Sequence, residues 1–175
     1  MACDILITSN IADECANLQG GNEEFYPFNF VKDAFTVVDG VATAMNAALT
    51  VAYKYVSDSD TNTFTDILVA DFKTKSSVVT QTLIYQLYKV QSTTSEDLTK
   101  MAQGKISGIL KDNNGTYHFV GHENGFNVNR TVEAMTGGVR TDVNGYNVTL
   151  VAENKKYAPT LDAATVTAFL AIVTA

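Results

Sequence analysis

Threonine and valine set the first constraint on this chain, with 22 Thr and 19 Val among 175 residues. Their branched Cβ atoms restrict χ1 and pack well on pleated, half-buried surfaces, so the fold is expected to be mainly β. The turn residues agree. Asp39-Gly40, Asn114-Gly115, Asn124-Gly125 and Asn144-Gly145 are dipeptides that accept positive φ in tight turns. Most of them fall after residue 110, which predicts hairpins in the C-terminal half. Hydrophobic residues make up 46% and charged residues 18%, enough apolar material for a core and too little charge for a disordered chain. The expectation is a single domain over 1–175, a β-sandwich or small barrel with one short flanking helix. Residues 1–24 and 160–175 are expected as terminal arms and 57–76 as an extended loop.

Along the chain, 35–38 and 41–45 read as a hairpin around Asp39-Gly40. Residues 50–56 alternate Val51, Tyr53 and Tyr55 against Ala52, Lys54 and Val56, the period of a strand. The polar stretch 57–63 breaks the pattern and reads as a loop. The apolar set Phe64, Ile67, Leu68 and Phe72 suits a helix turn as well as a strand. Residues 77–90 form the longest strand, with Val79, Leu83, Tyr85 and Leu87 on one face. Val78, Ile84 and Tyr88 lie on the other, so this strand is expected to be covered on both sides. A short helix opens at Thr94-Ser95-Glu96-Asp97 with a hydroxyl cap, buries Leu98 and Met101, and stops at Gly104. A hairpin over 105–110 and 116–120 and strands at 126–132 and 146–151 follow. Residues 161–173 read as a terminal helix or arm.

The formal charge of −7 argues against a nucleic-acid binder, which needs clustered Lys and Arg. Residues 1–71 hold eleven acids against Lys32 and Lys54, whereas 72–175 hold eight acids and ten bases. Such asymmetry reads first as a solvated acidic surface; the alternative is a pair of complementary faces at opposite ends of a protomer that steer self-association. No run approaches the roughly 20 apolar residues of a membrane-spanning helix, and the first residues have no basic stretch before an apolar one. No membrane association is therefore expected, and Cys3 and Cys15 read as reduced thiols of a cytoplasmic product.

Nothing in the chain assembles catalytic chemistry. His118 and His122 would share a metal on a helix, but on a strand four residues span roughly 13 Å. Cys3 and Cys15 lie in no strand-to-helix nucleophile turn. Gly20-Gly21 and Gly137-Gly138 lack the spacing of a phosphate loop, and Asp13-Glu14, Glu23-Glu24 and Asp58-Ser59-Asp60 lack that of a calcium loop. Tyr53, Tyr55, Tyr85 and Tyr88 read as core or interface aromatics rather than a ligand platform. A protein without enzymatic activity, cofactor or metal is expected.

A resemblance narrows this further. After the helix ending at Gly104 come Gly108-Ile109-Leu110, then 117–126 (YHFVGHENGF), then Thr136-Gly137-Gly138, then 142–150 (DVNGYNVTL). This order resembles the virion structural proteins of tailed bacteriophages, above all the tail tube subunits, over residues 104–153. The resemblance implies a β-sandwich or small barrel packed into rings, commonly of six subunits, stacked into a hollow tube. The partners implied are further copies of the chain and other virion proteins. DNA would pass without specific binding, and the protein would be made in the host cytoplasm and reside in the virion. The stacking elements, chosen because they fit the β core least well, are 57–76 with Asp58, Asp60, Phe64, Asp66 and Asp71, together with 1–24 and 160–175. Deleting 57–63 is expected to leave a folded monomer that forms no tubes. The alternatives are a head, connector or baseplate-type subunit, or a ligand- or glycan-binding β-sandwich module.

Overall fold

The computed structural model describes residues 18–57, 59–71 and 73–174. The fold is mainly β and sandwich-like, 49% strand and 14% helical, and neither large sheet closes into a barrel among these residues. The strands are β1 (Asn22–Asn29), β2 (Phe35–Val38), β3 (Val41–Met45), β4 (Ala52–Tyr53), β5 (Tyr55–Val56), β6 (Thr63–Asp71) and β7 (Ser76–Tyr88). After helix α1 (Ser92–Gln103) come β8 (Ile106–Asp112), β9 (Tyr117–Val120), β10 (Asn129–Met135), β11 (Gly145–Asn154) and β12 (Thr160–Leu161). Helix α2 (Ala163–Leu170) and β13 (Val173–Thr174) end the chain. A seven-stranded sheet runs β2-β3-β12-β9-β8-β1-β5 and a four-stranded sheet runs β10-β11-β7-β6, with β13 and β4 paired separately.

The two sheets pack face to face. Phe25, Ile106, Leu110 and Val120 from the larger meet Leu83, Tyr85, Val148 and Leu150 from the smaller, and α1 closes this core with Leu98 and Met101. The opposite face of the seven-stranded sheet is buried too. There Tyr26, Phe28, Ile109 and Phe119 pack with Phe35 and, from α2, with Phe169. A sheet covered on both faces carries apolar residues in unbroken runs, as in Phe25-Tyr26-Pro27-Phe28 and Ile109-Leu110. Pro27 has no N–H to donate, and it sits beyond the point where β5 stops pairing with β1. Glu24 ties these strands by ion pairs to Lys54 and Lys111. Burial would raise the Glu24 pKa, but hydrogen bonds from Lys54 and Tyr26 outweigh it and hold the carboxyl below the usual range.

Several expectations change in physical detail. The hairpin at Asp39-Gly40 is present, with φ of 50° and 82°. Asn144-Gly145 makes no tight turn; Gly145 opens β11 with its α-carbon so near β7 that an added Cβ would stand 2.0 Å from the Leu87 carbonyl oxygen. Residues 50–56 are two short strands in different sheets rather than one. The β7 strand is covered on one face, with Val79, Gln81, Leu83 and Tyr85 buried and Val78, Thr80, Thr82 and Ile84 half-exposed. The α1 N-cap is Gln91 with no side-chain cap; Ser95 Oγ donates back to the Gln91 carbonyl instead. The segment 160–175, read as an arm, is integral over its described residues: β12 pairs with β3 and β9, and Phe169 is wholly buried. Of the expected arm 1–24, residues 22–24 belong to β1 inside the larger sheet, while Cys3 and Cys15 lie outside the described residues. Of the expected loop 57–76, half is strand, namely β6 and the first residue of β7.

Candidate assembly surface

The four-stranded sheet presents one face to the core and one outward. Register pairs Thr63, Thr65, Ile67, Val69 and Asp71 of β6 with Ile84, Thr82, Thr80, Val78 and Ser76 of β7. The same face continues through Asn147, Thr149, Val151 and Glu153 of β11 to Asn129, Thr131 and Glu133 of β10. Threonine dominates this face; its charges are Asp71, Glu133 and Glu153, and no Lys or Arg lies on it. The one basic strand residue, Arg130, points inward and donates to the Gly104 carbonyl.

Among the described residues, both outer strands of this sheet have an unpaired edge, β10 on one side and β6 on the other. Monomeric proteins blunt such edges with Lys, Pro, bulges or short strands, because unpaired backbone groups recruit further strands. The β6 edge is nine residues long with no Lys, Pro or bulge, and its one protective feature of this kind is the inward-pointing charge of Asp66. Its nine residues include Ile67, Leu68 and Val69, which are 56%, 44% and 57% exposed. Pairing with β11 ends at Val79, so the β6–β7 hairpin continues beyond the rest of the sheet. Asp71 closes its turn by accepting from the Lys73 and Thr74 amides, which hold its pKa below the ordinary carboxylate value.

The residues singled out for assembly do not form a single site. Asp60 stands in a short 3-10 turn before β6 and Asp71 at the far end of that strand. Phe64 points inward, packing on the core with its ring 6.3 Å from that of His118. Asp66 points inward as well and accepts from Gln81 Nε2 and the Ala158 amide. Asp58 lies outside the described residues. Sequence reasoning missed the exposed run Ile67-Leu68-Val69-Ala70, because only sheet order reveals that its strand is an edge. Asn62 is buried and structural: its Nδ2 donates to the Asn22 carbonyl and Ser57 Oγ, and its Oδ1 accepts from the Gln86 amide. Deleting 57–63 would remove that tie between β1 and β7, so it cannot test stacking alone.

Between the sheets lies a buried polar cluster. Gln81 Oε1 accepts from the Gly121 amide and from Asn154 Nδ2, each at 2.8 Å. Asp66 Oδ1 and His122 Nδ1 are buried beside it without a partner. Burial pushes the His122 pKa down, against the opposing pull of Glu123 and Asp66. Elsewhere His118 contacts Asp112 Oδ2 at 3.3 Å. No group of three or more His, Cys, Asp and Glu that could hold a metal occurs among the described residues. Nor is any helix there long and apolar enough to cross a membrane.

Comparison with known proteins adds no relative: no family model, no curated protein and no solved structure matches the chain.

Proposed function

We propose that this chain is a non-enzymatic structural subunit that assembles with copies of itself through the open edges of its four-stranded sheet. Within that class, the reading we favour is a tail tube subunit of a tailed bacteriophage, forming stacked rings around a DNA channel in the virion. The observation that carries it is the β6 edge, nine residues long, with Ile67, Leu68 and Val69 exposed and neither Lys nor Pro on it, on a sheet whose other edge, β10, is also unpaired among the described residues. Joining β6 of one copy to β10 of the next is a heterologous contact, and such contacts close into rings when the rotation permits.

The dimensions and charge of the sheet suit that use. Six copies would align 24 strands; at about 4.8 Å spacing and about 40° tilt they close at a radius of about 24 Å. Subtracting about 5 Å of side chain from each wall leaves a bore of about 38 Å, wider than a DNA duplex. A threonine-rich wall with Asp71, Glu133 and Glu153 and no basic side chain would give phosphates nothing to grip. The resemblance over residues 104–153 points the same way. Negative-stain electron microscopy of the purified protein over a range of concentration and salt is the test. Rings or hollow tubes are expected, and a monodisperse monomer under every condition would refute the reading.

A further inference from the structure

The ring contact leaves the two ends of the sheet unassigned, and they differ in chemistry. At one end stand the β6–β7 turn, with exposed Lys73 and Lys75, and the segment after β11, with exposed Lys155 and Lys156. None of these four lysines forms an ion pair with a described residue. At the other end β5 and the start of α1 flank the last residues of β7. A groove of about 390 Å³ opens there, lined by Lys54, Tyr55, Val56, Tyr88, Thr94 and Asp97, with Lys54 held in an ion pair by Glu24. Val56 is 60% and Tyr88 51% exposed, and Glu96, which precedes Asp97 in the first turns of α1, is exposed outside the groove lining. Lys100 reaches Asp97 at 3.4 Å, and both side chains are largely in water, so that pair is weak and exchangeable. Lys54, Lys89, Lys100 and Arg140 are the bases at this end, Lys54 being paired with Glu24 and Lys100 with Asp97, and Asp60 and Asp142 add to its acids.

We propose that the β6–β7 hairpin of one copy seats end-on in the groove between β5 and α1 of a second copy, with Lys73 and Lys75 meeting Glu96 and Asp97. The inference rests on the ring reading and supplies its axial contact. The hairpin is shaped for insertion: about three residue pairs, roughly 10 Å, extend past the end of β11. Its flank offers Leu68 and Val69 to the apolar floor provided by Val56 and Tyr88, and its tip offers two ammonium groups to two carboxylates. Hairpin and groove lie at opposite ends of the 13-residue β7. One copy therefore presents both halves of the contact roughly 40 Å apart, so the contact repeats head to tail and propagates without limit.

The experiment compares the wild type with Lys73→Glu/Lys75→Glu, with Glu96→Lys/Asp97→Lys, and with the variant carrying all four changes. All four positions are exposed, and far-UV circular dichroism with thermal melting confirms folding. Sedimentation velocity and electron microscopy then separate rings from stacks. Each two-site variant is expected to keep rings and lose stacks, its end-on association weakened on the order of tenfold per reversed pair. The four-site variant is expected to stack again, and salt near 0.5 M is expected to shorten wild-type stacks. Stacks as long as the wild type's from Lys73→Glu/Lys75→Glu would overturn the docking while leaving the ring reading intact. So would a folded four-site variant that forms rings but never stacks. A wild type that remains monomeric throughout would overturn the ring reading, and the axial contact with it.

Discussion

Replacing Gln81 by Leu tests how the two sheets are held in register. Gln81 is fully buried, yet it is the polar centre between the layers. Leucine of similar size would remove the acceptor for the Gly121 amide and for Asn154 Nδ2, and the donor to Asp66 Oδ2. Asp66 keeps the Ala158 amide, so two buried donors are left unpaired. Each costs about 1–3 kcal/mol, and the added apolar burial returns about 1 kcal/mol, for a net loss of about 3 kcal/mol. That is a large share of the roughly 5–15 kcal/mol that holds a domain folded. Urea denaturation should show a lower midpoint at unchanged slope, and the melting temperature should fall by roughly 6–12 °C. The control is Thr82→Ala on the half-exposed outer face, expected within about 0.5 kcal/mol of wild type. A Gln81→Leu protein within 1 kcal/mol of wild type would show that the cluster does not carry the energy assigned to it.

Phe169→Ala should cost about 3–5 kcal/mol in chemical denaturation, because the ring is wholly buried against Tyr26, Phe28 and Phe35; a neutral result would mean that α2 behaves as a detachable arm. Gly145→Ala should shift β11 away from β7 and destabilise by more than about 2 kcal/mol, since the new methyl would meet the Leu87 carbonyl. The depressed pKa of His122 predicts a pH effect of definite sign. The unfolded chain, with an imidazole near 6.5, takes up a proton before the folded one, so stability present above that value is lost as pH falls below it. Asp66 and Glu123 face the ring and limit the loss, Lys156 adds to it, and His122→Gln should flatten the slope measured between about pH 7 and 5.

The sequence-level argument succeeded where the signal was local. The hairpin at Asp39-Gly40 needs two residues with positive φ and alternating neighbours, and both are present in consecutive positions. The α1 helix was legible from Leu98 and Met101 three apart and the stop at Gly104, although its cap was not, because Gln91 caps through its backbone alone. The β7 strand was legible from its length, and its second cover was expected because Val78, Ile84 and Tyr88 are apolar. In the monomer that face is open, and in the assembly proposed above it lines the bore.

What misled was distance along the chain. Phe64 belongs to an apolar set that suits a helix turn as well as a strand, and Asp66 lies inward because it accepts from Gln81 and the Ala158 amide, 15 and 92 residues away. Ala163 to Leu170 reads as a weak amphipathic segment, and its burial depends on a sheet whose β12 pairs with β3, 119 positions earlier in register.

By itself, then, the sequence determined a mainly β chain with one well-marked helix and an acidic balance, because χ1 restriction, turn chemistry and charge count are properties of neighbouring residues. The tertiary structure alone decided which strands are edges, which face of β7 meets the core, and that the lysine-bearing turn and the Glu96-Asp97 pair lie at opposite ends of one strand. Those are consequences of pairing order and layer stacking, which join residues through space and leave no periodic trace in the chain.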